Sequence, residues 1–174
     1  MTKTDKLLGV FASAVNAGGG VHSASELAFM LGEECNSAFI KFLADGVKKG
    51  VLRRVVRGLY ESTLTPPKPE TAIYQIIKKL RSGVLTYISL ESQLSQSGEI
   101  SQVIMGRVTA VTKGRSGVLS TPYGVIEFTH TKKPLRKIVP NLYFDQDIKM
   151  YRATTEQGIT DLKNCHRNVQ MLEA

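Results

Sequence analysis

The side chains best equipped for chemistry in this 174-residue chain are its cations, and they come in two groups. Lys41, Lys48, Lys49, Arg53, Arg54 and Arg57 fall within 17 residues whose only acid is Asp45. Arg107, Lys113, Arg115, Lys132, Lys133, Arg136 and Lys137 form the second group, and Glu127 is the one acid between residues 101 and 140. The chain has 23 Lys plus Arg against 15 Asp plus Glu, a formal charge of +8, and these two groups carry the surplus. Clusters of this kind suit a polyanion, nucleic acid first, because each phosphate met by a cation releases condensed counterions. A third set suggests different chemistry. In Asp145-Gln146-Asp147-Ile148-Lys149, strand alternation would put Asp147 and Lys149 on one face. Nucleases use such a carboxylate for Mg²⁺ and such a lysine for the attacking water, and Glu127 is the candidate for the further acid they need.

Other reactive types lack the necessary spacing. His22, His130 and His166 are scattered, and none is spaced with another ligand as a metal site requires. Cys165 and His166 are adjacent on an expected helix, so their side chains diverge. Cys35 and Cys165 have no Cys-x-x-Cys spacing and read as free thiols. Gly18-Gly19-Gly20 lacks the Lys-Ser/Thr that follows a phosphate-cradling loop. The expectation is a chain with no metal and no cofactor and, outside the Asp147 alternative, no enzyme.

Composition sets the frame for these groups. Apolar residues make up 42% and charged residues 22% of the chain, which excludes wholesale disorder, a collagen and a disulfide miniprotein. The length allows one medium domain or two small ones. Apolar runs are only a few residues, well short of the roughly 20 that cross a bilayer, and the N-terminus has no signal-peptide core. A cytoplasmic protein is expected.

The elements that must position the first cation group are helical. Leu7, Leu8, Val10, Phe11, Ala14 and Val15 recur at three- and four-residue steps, and the three glycines then stop the helix. Ser25 is a candidate cap for a short helix through Leu31, closed at Gly32, and Asn36 caps a third helix from Ser37 to Lys49, closed at Gly50. At about 100° per residue, Phe39, Phe42, Leu43 and Val47 face one way. Ser37, Lys41, Ala44 and Lys48 form a narrow stripe on the other side. Val51 to Tyr60 then reads as a hairpin with arginines near its turn.

Three helices and a basic hairpin describe a winged helix-turn-helix, whose third helix enters the major groove while the wing holds phosphates. Asn36, Ser37 and Lys41 stand nearest the bases. Asparagine matches adenine and lysine matches guanine, although Asn36 is equally suited to a pure cap. Lys48, Lys49, Arg53, Arg54 and Arg57 are the expected phosphate contacts. Winged helices also serve as protein-binding modules, and an arginine-bearing wing favours DNA.

Thr65-Pro66-Pro67-Lys68-Pro69 reads as a short stiff linker, which divides the chain into residues 1–64, the linker 65–69 and a second domain over 70–174. In the second domain, Ile73, Ile76, Ile77 and Leu80 share a helix face. Val84 to Ile88 is strand-like, and Ser89 is a candidate cap for a helix from Leu90 to Gln96. Val103, Ile104, Val108, Val111, Val118, Leu119, Val125, Ile126 and Phe128 fall in three β-prone runs, read as an antiparallel meander. Met150 to Ala153 is one more strand. Thr155 to Leu172 is a closing helix with Ile159, Leu162, Val169 and Leu172 inward, in which Gly158 is a weak helix former where alanine is expected. The fold class is α+β: a winged helix-turn-helix and a small mixed domain with an antiparallel sheet.

Several segments in this order carry a family resemblance. Arg57-Gly58-Leu59-Tyr60 closes the wing, and Tyr87-Ile88-Ser89-Leu90-Glu91-Ser92-Gln93-Leu94 and Val108-Thr109-Ala110-Val111-Thr112 follow. With Thr121-Pro122-Tyr123-Gly124-Val125-Ile126-Glu127-Phe128, the series resembles the AbiEi antitoxins of type IV toxin-antitoxin systems. The resemblance covers most of the chain. It implies a bacterial antitoxin whose winged helix represses its own operon through inverted repeats, as a monomer or as a multimer assembled on DNA. It also implies a second domain that counteracts a nucleotidyltransferase-like toxin without requiring direct contact, in phage defence or the upkeep of mobile elements. A plain winged-helix repressor with no toxin is the alternative. The second cation group then extends the DNA footprint onto flanking phosphates or forms a face for the toxin or RNA.

Overall fold

The computed structural model describes residues 1–97 and 106–165, so the expectations for Val103, Ile104, His166, Val169 and Leu172 lie outside the described residues. The chain forms two compact units, the first ending at Lys79 and the second beginning at Leu80.

In the first unit, α1 (Lys3–Asn16) starts at a capping box, with the Thr2 hydroxyl and the Asp5 carboxylate satisfying each other's backbone amides. It buries Leu7 and Phe11. The two-residue strand β1 (His22–Ser23) leads into α2 (Ala24–Met30), whose cap is Ser23 and not the expected Ser25. Ser23 wins because only it has an acid three residues on. The Glu26 amide donates to Ser23 Oγ at 3.2 Å, and the Ser23 amide donates to the Glu26 carboxylate at 2.7 Å.

Helix α3 (Ser37–Lys48) follows, then β2 (Leu52–Val56) and β3 (Leu59–Ser62). Gly58, at φ +83°, permits the tight Arg57-Gly58 turn between these strands. The sheet order is β1-β3-β2, and β1 pairs antiparallel with β3, His22 opposite Tyr60. Leu7, Phe11, Leu27, Ala28, Phe39, Leu43, Leu52 and Tyr60 form one core. Each buried leucine or phenylalanine among them contributes about 1.5–3 kcal/mol.

The division of the chain departs from the proline-rich boundary. Helix α4 (Pro69–Leu80) packs onto the first unit: the Gln75 side-chain amide donates to the carbonyls of Gly18 and Gly19 at 3.1 and 3.3 Å, and Lys79 pairs with Glu26. Pro67 is buried, and a Cβ at Gly20 would stand 3.1 Å from its ring. The prolines therefore form a packed strap that returns α4 to the helices, and the units separate at Lys79/Leu80 rather than within 65–69.

The second unit is a six-stranded sheet with helices. Its elements are β4 (Thr86–Ile88), α5 (Leu90–Ser97), β5 (Arg107–Thr112), β6 (Gly117–Thr121) and β7 (Gly124–His130), followed by α6 (Leu135–Ile138) and a 3-10 turn at Val139–Asn141. The hairpin strands β8 (Leu142–Asp145) and β9 (Met150–Ala153) and helix α7 (Thr155–Asn164) complete it. The strand order is β6-β7-β5-β4-β9-β8.

Pairs β4–β5, β6–β7 and β8–β9 are antiparallel, consistent with the α+β class and its antiparallel sheet. The simple meander is not found: β5 and β7 pair in parallel, Val108 opposite Ile126, with β6 on the outer side of β7. Strands β4 and β9 are also parallel.

Tyr87, Leu90, Leu94, Val111, Ile138, Ala153 and Leu162 make the core under α5 and α7. Gly158 has a packing reason, since a Cβ there would stand 3.0 Å from Leu94 Cδ2. Ser89 does not cap α5. Its hydroxyl donates instead to the buried Asp161 carboxylate at 2.7 Å, which also accepts from Tyr87 Oη at 2.9 Å and Gln157 Nε2 at 2.8 Å. The start of α5 is held by Thr109, whose hydroxyl donates to the Ser89 carbonyl at 2.6 Å and accepts the Ser92 amide at 3.0 Å.

Candidate nucleic-acid interface

Helix α3 is presented by its own inner face. Phe39 and Leu43 are buried, Phe42 and Val47 half-buried, and Ser37, Lys41, Ala44 and Lys48 are all exposed, as the helical period predicts. Lys3 of α1 stacks 4.4 Å from the Phe42 ring centroid and pairs with Glu33, tying the start of the chain beside α3. The wing is seated against the same helix: a Cβ at Gly46 would stand 3.0 Å from Leu52 Cδ1, so the glycine lets β2 approach closely.

Asn36 caps α3, its Oδ1 accepting the Phe39 amide at 3.0 Å. Ser37 and Lys41 keep their side chains open on the exposed stripe. Among the described residues, neither they nor Lys48, Lys49, Arg54 and Arg57 form an ion pair or a side-chain hydrogen bond.

Arg53 differs from its neighbours. It faces Glu61 across the wing and donates to that carboxylate from Nε at 2.6 Å, with NH2 in a second contact. Glu61 is 1% exposed, so Arg53 neutralises a buried acid and holds the two wing strands in register. An extra residue between Arg54 and Val56 bulges β2, which twists the wing.

One residue of this surface escapes the reading of basic and polar positions. Ile40 is 43% exposed on α3. Apolar residues in an amphipathic helix are first counted as core, so the only available signal was its angle, about 70° from the centre of the outer stripe.

Beneath the wing, His22 sits on β1 with Nε2 buried and no hydrogen-bond partner. Burial, then the charge on Lys79, lowers its pKa, which favours the neutral ring. Burial acts to raise the pKa of the neighbouring Glu26, but Lys79 and the Ser23 amide prevail and hold it low.

The second cation group is partly consumed by the fold. Arg107 donates to Glu127 at 2.6 Å between the parallel strands β5 and β7. Lys113 Nζ donates to the carbonyls of Thr131 and Lys133 at 3.1 and 3.0 Å, clamping the segment that leads to α6. Burial raises the Asp161 carboxyl above its ordinary pKa, against the hydrogen bonds from Ser89, Gln157 and Tyr87 and, least, the charge of the half-buried Lys133. Arg115, Lys132, Arg136 and Lys137 are exposed and, among the described residues, make no ion pair.

The proposed nuclease arrangement is absent from the geometry. Asp147 and Lys149 lie in the turn between β8 and β9, with Lys149 at φ +53°, so no strand alternation aligns them. Asp145 is paired with Arg152 at 2.6 Å, and Glu127 is on β7, separated from β8 by three strands. Among the described residues, no three of His, Cys, Asp and Glu gather as a metal site would need. No helix among them is long and apolar enough to cross a membrane.

No protein-family model and no curated protein matches the chain. Among solved structures it is similar to the RV2827C protein from Mycobacterium tuberculosis, at a TM-score of 0.56 and 12% identity. The likeness is one of fold. It covers 88% of this chain, which spans 60% of the length of the mycobacterial protein.

Proposed function

We propose that the chain is a sequence-specific double-stranded DNA-binding protein that represses its own operon as an antitoxin of the AbiEi kind. The observation that carries the DNA reading is the exposed stripe of α3, Ser37, Lys41, Ala44 and Lys48, beside Lys49, Arg54 and Arg57, whose charges the fold leaves unpaired. Unpaired cations on a helix presented by its inner face, next to a wing, suit base edges and phosphates together. Lys41 is the base reader, and Lys48, Lys49, Arg54 and Arg57 are the phosphate contacts. Asn36 orders the start of the helix, and Arg53 braces the wing.

The toxin partner rests on the family resemblance of the segments around Tyr60, Ser89, Val108 and Tyr123. In this reading the second unit counteracts a nucleotidyltransferase-like toxin, and the protein works in the bacterial cytoplasm, where its operator is. The test has two arms. The full chain should bind an inverted repeat upstream of its own gene with strong salt dependence, and its co-expression should relieve growth arrest caused by an adjacent nucleotidyltransferase-like reading frame. No preference for the upstream repeat over random duplex removes the repressor role. Growth arrest that persists despite binding leaves a plain repressor.

A further inference from the structure

We infer that α3 reads thymine methyl groups, so that the DNA it selects carries A·T pairs where Ile40 and Ala44 face the major groove. This rests on the DNA-binding reading above and names the class of sequence that the helix recognises. Ile40 is 43% exposed and Ala44 is exposed. At about 100° per residue they lie about 40° apart, on one flank of Ser37, while Lys41 and Lys48 lie on the other flank. The outer surface of α3 therefore has an apolar edge and a basic edge.

The chemistry of the groove supplies one match for each edge. The thymine C5 methyl is the apolar group that a base pair presents in the major groove, and guanine O6 and N7 are the acceptors that a lysine meets. With Asn36 Oδ1 engaged by the Phe39 amide, the polar readers left on the stripe are Ser37, which tolerates either kind of base, and Lys41. Lys41 selects guanine. Further discrimination falls to Ile40 and Ala44, whose burial against a methyl removes apolar surface of both partners from water. The preferred half-site thus combines a G·C pair facing Lys41 with A·T pairs facing Ile40 and Ala44.

The test uses the full chain and a duplex that it selects from a random-sequence pool. That duplex is remade with deoxyuridine in place of every thymidine, which deletes the methyl groups and keeps the pairing. The wild type should bind the deoxyuridine duplex about three- to tenfold more weakly, the effect of one or two buried methyl groups. In Ile40→Ala, whose exposed position leaves the core intact, the ratio should fall to within about twofold, the residue of the Ala44 contact. Arg54→Ala should weaken both duplexes and keep the wild-type ratio. Equal wild-type affinity for the two duplexes, or an undiminished ratio in Ile40→Ala, overturns the inference while leaving DNA binding in place. Failure to select any duplex overturns the DNA-binding reading and this inference with it.

Discussion

The two basic regions look alike in sequence and differ in what the fold does with them. Between Lys41 and Arg57, only Arg53 has an acid to meet, the buried Glu61, and Lys41, Lys48, Lys49, Arg54 and Arg57 are left to solvent. Between Arg107 and Lys137, the fold engages Arg107 with Glu127 and Lys113 with two carbonyls, and Lys133 is half-buried. Local charge surplus thus marks a polyanion surface only where the structure offers the cations no acceptor of its own. The first region keeps five cations for an outside partner on and beside one helix. The second keeps Arg115, Lys132, Arg136 and Lys137, spread over a loop, the segment before α6 and α6 itself.

This contrast can be broken by substitution. The largest effect is expected for Lys41→Ala, which should weaken binding to the preferred duplex by about 1–3 kcal/mol and random duplex far less. Titration of both duplexes by fluorescence anisotropy measures it, and equal losses would remove Lys41 from base readout. Arg53→Ala should act on folding, costing the first unit about 1–3 kcal/mol because the buried Glu61 carboxylate loses its guanidinium. Arg54→Ala should leave stability within about 0.5 kcal/mol, so denaturant midpoints of the two variants test the split within the wing. Lys113→Ala should cost the second unit about 1 kcal/mol through its two carbonyl contacts. If its only effect is on DNA affinity, the assignment of Lys113 to the fold is wrong.

Smaller effects separate the regions by salt and by pH. Arg54→Ala and Arg57→Ala should each lower the slope of log affinity against log salt by about 0.9, on specific and random DNA alike. Alanine at Lys132, Arg136 and Lys137 together should leave that slope unchanged, and a lower slope would place the second unit on the duplex.

Between pH 7 and 5, above the range in which Asp145 titrates, acid should act differently on the two units. The pKa of His22 is lowered in the folded state, so its contribution is complete above its ordinary value of 6.5 and is lost as pH falls. That of Asp161 is raised, so its contribution is present at low pH and is lost as pH rises through the folded value. Between pH 7 and 5, amide protection factors, which correct for the intrinsic slowing of exchange in acid, should therefore fall in the first unit and not in the second. A parallel fall in both would contradict this.

Much of the first unit was legible in sequence because its signals are local. Helical period identified the faces of α1 and α3, Asn36 stood at a cap, and Gly58 marked the wing turn. Ser23 was readable too, since Glu26 stands three residues beyond it, but Ser25 lies closer to the apolar run. The two-residue β1 has no period to detect, and its existence depends on pairing with β3. In the second unit the signals needed were long-range. Val108 and Ile126 are strand formers, but nothing local says that their strands run parallel. Ser89 resembles a cap until Asp161, 72 residues later, claims its hydroxyl. Asp147 and Lys149 alternate in sequence, yet they form the turn that lets β8 and β9 pair. At the candidate site the cations were legible and their competitors were not, because Glu61 and the Thr131 carbonyl are brought to Arg53 and Lys113 by folding.

Base-methylation interference on the selected duplex tests the central claim, that α3 reads base edges in the major groove, most directly. N7 methylation of the guanine facing Lys41 should block the wild-type chain and have no further effect on Lys41→Ala. Interference from phosphate ethylation alone, with none at any guanine, would contradict the account.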